Sequence, residues 1–168
     1  MTKLVGILNI TPDSFSDGGK YQTFENALAA CKKLIEEGAD MIDIGAESTR
    51  PNAVLINQQQ EWQRLENILP AIIKLCQSHK VLTSLDTRHW QTAKQALALG
   101  INVINDVSGL EDQKMAQLLA LSDCKIIINH NLGLPADPTK IIDPEKDIIF
   151  EVKKWAEEKI LELTRKYQ

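Results

Sequence analysis

Residues 36–43, EEGADMID, decide the fold class. Two glutamates close a segment of helical period, a glycine follows where a helix must stop, and an apolar run begins just after it. Glycine is the residue that most readily takes the left-handed conformation of a helix C-terminal cap. The same join recurs at residues 98–106, ALGINVIND. Working outward, short apolar runs of strand character occur at 4–8 (LVGIL), 41–45 (MIDIG), 81–85 (VLTSL), 101–105 (INVIN) and 125–129 (KIIIN). They alternate with stretches of helical period at Phe24–Glu37, Glu61–Cys76 and Ile148–Tyr167. Strand and helix in alternation predict a parallel α/β sheet. Pro70 inside the second helical stretch predicts a kink or a split near Leu69. No compositional shift marks a linker, so residues 1–168 are expected to form one domain.

Composition excludes several classes of function. With 168 residues, 43% of them hydrophobic and 25% charged, the chain can bury a real core and is neither disordered nor fibrous. A formal charge of -4 leaves no basic stripe for a phosphate backbone, so no nucleic acid is expected as a partner. The first apolar run stops at Asn9, too short for an export signal core or for the about 20 residues of a membrane span. Cys31, Cys76 and Cys124 are odd in number and lack CxxC spacing. They are read as buried free thiols in a reducing cytoplasm.

The residues that end the apolar runs point to a site. The first run delivers Asn9, the second carries Asp43 into GAESTRP, the third ends at Asp86, the fourth at Asn105 and Asp106, and the fifth at Asn129 and His130. In a parallel barrel or open sheet these all lie at the carboxyl-terminal mouth, where loops converge. A turn or a helix cap would explain any one of them. Five strand ends in succession point instead to a binding site, with NITPDSFSDGG (9–19) as a loop at its mouth. No Ser/His/Asp or Cys/His arrangement, HExxH or phosphate-cradling glycine motif is present, so no covalent nucleophile is expected.

Four segments, GILNITPDSFSDGG (6–19), IDIGAESTRP (42–51), SLDT (84–87) and INDVSG (104–109), resemble the successive signatures of dihydropteroate synthase in order and spacing. The resemblance implies a TIM-type (β/α)8 barrel, of which about five βα units are present here. It also implies the family's reaction: hydroxymethyl-dihydropterin diphosphate is condensed with para-aminobenzoate and pyrophosphate is released, on the path to folate. Mg²⁺ is the implied cofactor, and the complete protein is implied to be a homodimer. A pterin edge offers an amino group and a ring N–H side by side, which one carboxylate can accept together while a neighbouring amide donates and accepts. Asp86 and Asn105 match the family's pterin-holding pair, and Asn9 matches its Mg²⁺ ligand. Ser48, Thr49, Arg50 and Pro51 match the loop beside the pterin and the aminobenzoate. Thr11 and Pro12, with Asp13, Phe15 and Asp17-Gly18-Gly19, match the first loop that closes over the reaction. The residues themselves leave local alternatives: Asp86 pairing with Arg88 or capping a helix near His89, Asn9 capping a turn, Arg50 as a surface charge.

Two features depart from the family pattern. The fifth strand end reads INHNLG (128–133), where the family has Met beside the His, so Asn129 is polar where an apolar wall is expected. A barrel of this type takes about 250 residues, and the later segments, with a further Asp, a Lys, and an Arg and His for the diphosphate, are not in this sequence. The expected function is therefore dihydropteroate synthase. One alternative is a non-catalytic pterin-binding remnant that needs a partner chain. Another is a methyltetrahydrofolate-type methyltransferase, which the TPDSFSDGG and ESTRP loops disfavour. Asn129 and His130 receive no role from the sequence.

Overall fold

A computed structural model describes residues 2–11, 20–137 and 139–167 of the chain. Five strands, β1 (Val5–Asn9), β2 (Met41–Gly45), β3 (Leu82–Asp86), β4 (Val103–Asp106) and β5 (Lys125–Ile128), form one sheet in sequential order. Every neighbouring pair is parallel. The connections carry α1 (Lys20–Glu36), α2 (Gln58–Leu65), α3 (Leu69–Ser78), α4 (Trp90–Ala98) and α5 (Gln113–Ala120), and α6 (Ile148–Tyr167) follows β5. Sequential parallel order is the wall of a (β/α) barrel, as expected.

The joins work as the glycines imply. Gly38 has φ 98° and Gly100 φ 90°. The following N–H groups of Ala39 and Ile101 reach back to the carbonyls of Leu34 and Ala96, which closes each helix in a Schellman cap. A third join is built the same way without glycine. Lys80 has φ 58°, and Val81 N–H donates to the Cys76 carbonyl. The predicted split near Leu69 is present, with Pro70 in the first turn of α3, where its missing N–H costs no helical bond. Asn57 and Gln60 form a capping box at the start of α2.

One face of the sheet carries the core. Leu8, Ile42, Ile44, Leu85 and Ile104 are buried there against Leu69, Ile72 and Met115 of the helices. Cys31 and Cys76 sit in this core as free thiols, whereas Cys124 is only half buried, so the expectation of three buried thiols is corrected at that position. Because side chains alternate along a strand, the intervening positions Ile7, Asn9, Asp43, Asp86 and Asn105 face the other side. On the two edge strands that face is open: Ile7 is 68% exposed and Ile127 38% exposed. The outer edges of β1 and β5 pair with no other strand among the described residues.

Unpaired edges beside exposed Leu4, Val5, Ile7 and Ile126 are a template for association. A polypeptide of residues 1–168 is therefore expected to self-associate, with light scattering as the check. A monodisperse 18.8 kDa monomer with a cooperative melt would contradict the exposure of this face in solution.

Candidate active site at the carboxyl ends of the strands

Strand register brings the site together. Asn9 is level with Gly45, Gly45 with Asp86, and Asp86 with Asn105. Register partners in a parallel sheet share a face, so these side chains stand in a row at the carboxyl end of the open face. Gly45 leaves a gap in the row. A Cβ there would lie 3.6 Å from Asp86 Oδ2 and 3.7 Å from Asn9 Oδ1, so both oxygens border the space above the glycine.

Asp86 has no hydrogen-bond or ion-pair partner among the described residues. Burial, then the nearby carboxylates Asp43, Asp106 and Glu47, push its pKa up to about 7. Both local alternatives are ruled out by geometry: Arg88 is committed to Glu47, and the cap position of α4 is His89, with no side-chain cap bond. A half-buried carboxyl group held without a counter-charge at a strand end is a mark of a functional site. Beside it, Asn105 Nδ2 donates to Asp43 Oδ2 at 3.0 Å, and Asn129 Nδ2 donates to Asn105 Oδ1 at 2.9 Å. Among the described residues Asp43 Oδ1 is buried with no partner. Asp106, next in sequence to Asn105, turns the other way. Its Oδ1 accepts from Ser108 N and Oγ, so it shapes the turn after β4 and stays out of the row.

The loop after β2 is pinned at both ends. Arg88 Nε and Nη2 donate to the two Glu47 oxygens at 2.7 and 2.9 Å. Ile56 N–H donates to Glu47 Oε1, and the Ile56 carbonyl accepts from Arg88 Nη2. Arg64 Nη1 donates to the Ala46 carbonyl at 2.6 Å. Between these anchors Ser48 and Thr49 are half-buried, while Arg50 and Pro51 are exposed. The Thr49 carbonyl accepts from Ala136 N–H, which ties the loop after β5 onto the loop after β2. Behind them Glu61 is fully buried, its Oε2 accepting from Thr87 Oγ1. Burial pushes its pKa up to about 7.

No cluster of three or more His, Cys, Asp or Glu suited to a metal occurs among the described residues. Asn9 instead offers one exposed amide oxygen above the gap at Gly45. A hard cation that arrives with a diphosphate takes only one or two protein oxygens, so this arrangement fits Mg²⁺. Thr11 is half-buried just beyond β1. Pro12, Asp13, Phe15 and the Asp17-Gly18-Gly19 turn lie outside the described residues. His130 is not part of the row. Its ring meets Trp155 of α6 edge-on, with centroids 5.0 Å apart. Glu47, the bond from Asn129 and the contact of Asp43 with Asn105 are additions that the structure makes. Asp43 was legible as the polar residue between Ile42 and Ile44, but the Glu47–Arg88 contact spans 41 residues and leaves no local signal. Among the described residues no helix is long and apolar enough to cross a membrane.

Proteins of known structure share this fold. The chain is 44% identical over 157 residues to the dihydropteroate synthase of Neisseria meningitidis serogroup B, an overlap of 91% of this chain and 53% of that protein. The crystal structure of dihydropteroate synthase from Anaplasma phagocytophilum with bound 6-hydroxymethylpterin-monophosphate matches with a TM-score of 0.85 at 43% identity, over 97% of this chain and 62% of that one. Xanthomonas albilineans dihydropteroate synthase with 4-aminobenzoic acid matches with a TM-score of 0.80 at 32% identity, over 96% and 55%. The chain thus spans about half the length of the Neisseria protein. The pterin binding enzyme family matches residues 5–166, from the first strand to the last helix, and the chain belongs to that family.

Proposed function

We propose that the chain carries the pterin-reading part of a dihydropteroate synthase. The unpartnered Asp86 carboxyl group beside Asn105 is the observation that carries this reading. Asp86 accepts the pterin amino group and the neighbouring ring N–H, and Asn105 meets the next polar atoms of the ring. Asn9 supplies an oxygen to Mg²⁺, which when bound offsets the charge of the diphosphate. Ser48 and Pro51 shape the loop that sets Thr49 and Arg50 beside the pterin methylene, with Arg50 available to an anionic group of either substrate. Thr11, just beyond Asn9, stands at the same end of the site. The amine nitrogen of para-aminobenzoate attacks the methylene carbon, the bond to the diphosphate oxygen breaks, and the amine loses a proton. No covalent enzyme intermediate is involved, and the residues act by positioning. The same reading treats residues 1–168 as one folding unit and places the whole protein in the cytoplasm as a homodimer. The exposed edges of β1 and β5 favour a second form of it, a pterin-binding unit that acts only with a partner chain.

The leaving diphosphate needs more positive charge than the described mouth offers, since Arg88 is held by Glu47 and Arg50 alone remains exposed in the second loop. Each missing electrostatic contact typically costs a factor of about 10² or more in rate. A polypeptide of residues 1–168 is expected to bind 6-hydroxymethylpterin yet form no measurable 7,8-dihydropteroate from the two substrates and Mg²⁺. Product at an ordinary enzymatic rate would show that these residues suffice for catalysis. Absence of pterin binding would overturn the proposal.

A further inference from the structure

The end of β5 carries a polar residue that the sheet has built into the site. Asn129 lies two positions beyond Ile127, the register partner of Asn105, so its side chain stands on the same face. Its backbone lies against the end of β4 and the turn that follows. Asn129 N–H donates to the Asp106 carbonyl, and a Cβ on Gly109, which has φ 72°, would lie 3.0 Å from the Asn129 carbonyl oxygen. Only glycine allows the turn after β4 to approach so closely. The Asn129 backbone is therefore set close to β4, and its side chain reaches Asn105.

Its hydrogen bond has a consequence for Asn105. A carboxamide has nearly the same shape when its oxygen and nitrogen are exchanged, but the opposite polarity. Asp43 decides between the orientations here, and Asn129 adds a contact that fits the one it selects. Asn129 Nδ2 donates to the oxygen end of Asn105, and Asp43 Oδ2 accepts from its nitrogen end. Asp43 Oδ2 is the acceptor at the far end, so the chain Asn129–Asn105–Asp43 runs in one direction. Asn105 is left with one N–H and one oxygen lone pair at fixed places. The oxygen of the Asn129 amide has no partner among the described residues and completes the polar wall.

The geometry points to Asn129 as a specificity-determining residue, which together with Asp43 holds the Asn105 carboxamide in one orientation and so sets the order of donors and acceptors shown to the bound heterocycle. This inference rests on the pterin reading of the site. The ligand class it selects is a fused 2-amino-4-oxo pyrimidine, in preference to a ring whose oxo and N–H groups are exchanged for an amino group and a bare nitrogen.

The test is calorimetric titration of the chain with 6-hydroxymethylpterin and with 2,4-diamino-6-hydroxymethylpteridine, whose edge has the exchanged order. The wild-type chain is expected to prefer the pterin. Asn129→Met is expected to narrow that preference by about tenfold, the worth of one hydrogen bond. Asn129→Gln retains a donor and is expected to restore most of the preference. A purely structural role would weaken both ligands alike and leave their ratio unchanged, and that result with Asn129→Met would overturn the inference. If Asn129→Met does not fold, Asn129→Asp, which places an acceptor against the Asn105 oxygen, is expected to shrink the same ratio, and an unchanged ratio there overturns the inference equally. Failure of the wild-type chain to bind either ligand would instead remove the pterin reading and this inference with it.

Discussion

Asp86→Asn is expected to weaken binding of 6-hydroxymethylpterin by about 30- to 1,000-fold, or roughly 2 to 4 kcal/mol, while stabilising the ligand-free protein at pH 8. The two effects have one cause. Asp86 offers two acceptor oxygens to two adjacent donors, and an amide at the same place sets a donor against a donor. Without ligand the same carboxylate is a liability. Burial and the carboxylates of Asp43, Asp106 and Glu47 raise its pKa from the ordinary 3.8 to about 7. Between those values the folded chain holds a proton that the unfolded chain has released, so stability falls as pH rises through this window. The asparagine variant lacks that slope. Pterin affinity of the wild type is expected to fall by about tenfold for each pH unit below 7, because the ionised form must be regenerated to accept both donors. Calorimetry at pH 5.5 and pH 8 measures affinity, and thermal melts at the same two values measure stability. Equal affinity in wild type and variant would take Asp86 out of the site.

Arg88→Met is expected to destabilise the fold by about 3 kcal/mol or more, because it leaves a buried carboxylate without its counter-charge. Glu47 is 5% exposed at its side chain and Arg88 24% exposed, so water can replace little of the lost bidentate pair. For a chain of this size that loss corresponds to a fall in Tm of roughly 6 to 12 °C. Adding Glu47→Gln to Arg88→Met removes the stranded charge and is expected to recover part of the loss. A second readout comes from His89, whose pKa is lowered by burial and then by the neighbouring Arg88 charge. Its titration by NMR is expected to move upward in Arg88→Met. The loop that carries Thr49 and Arg50 is anchored by this pair, so para-aminobenzoate binding should weaken in the single variant as well. A change in stability below about 1 kcal/mol would mean that the loop is held by its backbone contacts alone.

What could be read in the sequence was local. Gly38 and Gly100 announced their caps because glycine is the residue that tolerates their φ. Lys80 adopts the same conformation between α3 and β3 and gives no such notice. The stretch Ile148–Tyr167 is long enough for its period to show, and α6 has those bounds. The helices α4 and α5 have only 9 and 8 residues, about two turns each, too few for a period to stand out. The row Asn9, Asp86 and Asn105 was legible because polar residues ending apolar strands collect at one mouth. Which member of Asn105-Asp106 faces that mouth was legible only through the family resemblance, since in the residues alone it depends on the side of the sheet the helices cover. The freedom of Asp86 was hidden for a different reason: Arg88, two residues away, finds its partner in Glu47, and only tertiary structure decides between the two carboxylates.

A crystal structure of the chain with 6-hydroxymethylpterin tests most directly whether Asp86 and Asn105 read one pterin edge. The expected result has the ring amino group and the adjacent N–H within hydrogen-bond distance of the two Asp86 oxygens, and Asn105, still bonded to Asn129 and Asp43, against the same ring. A pterin bound elsewhere, or bound at the mouth with Asp86 turned away from the ring, would contradict it.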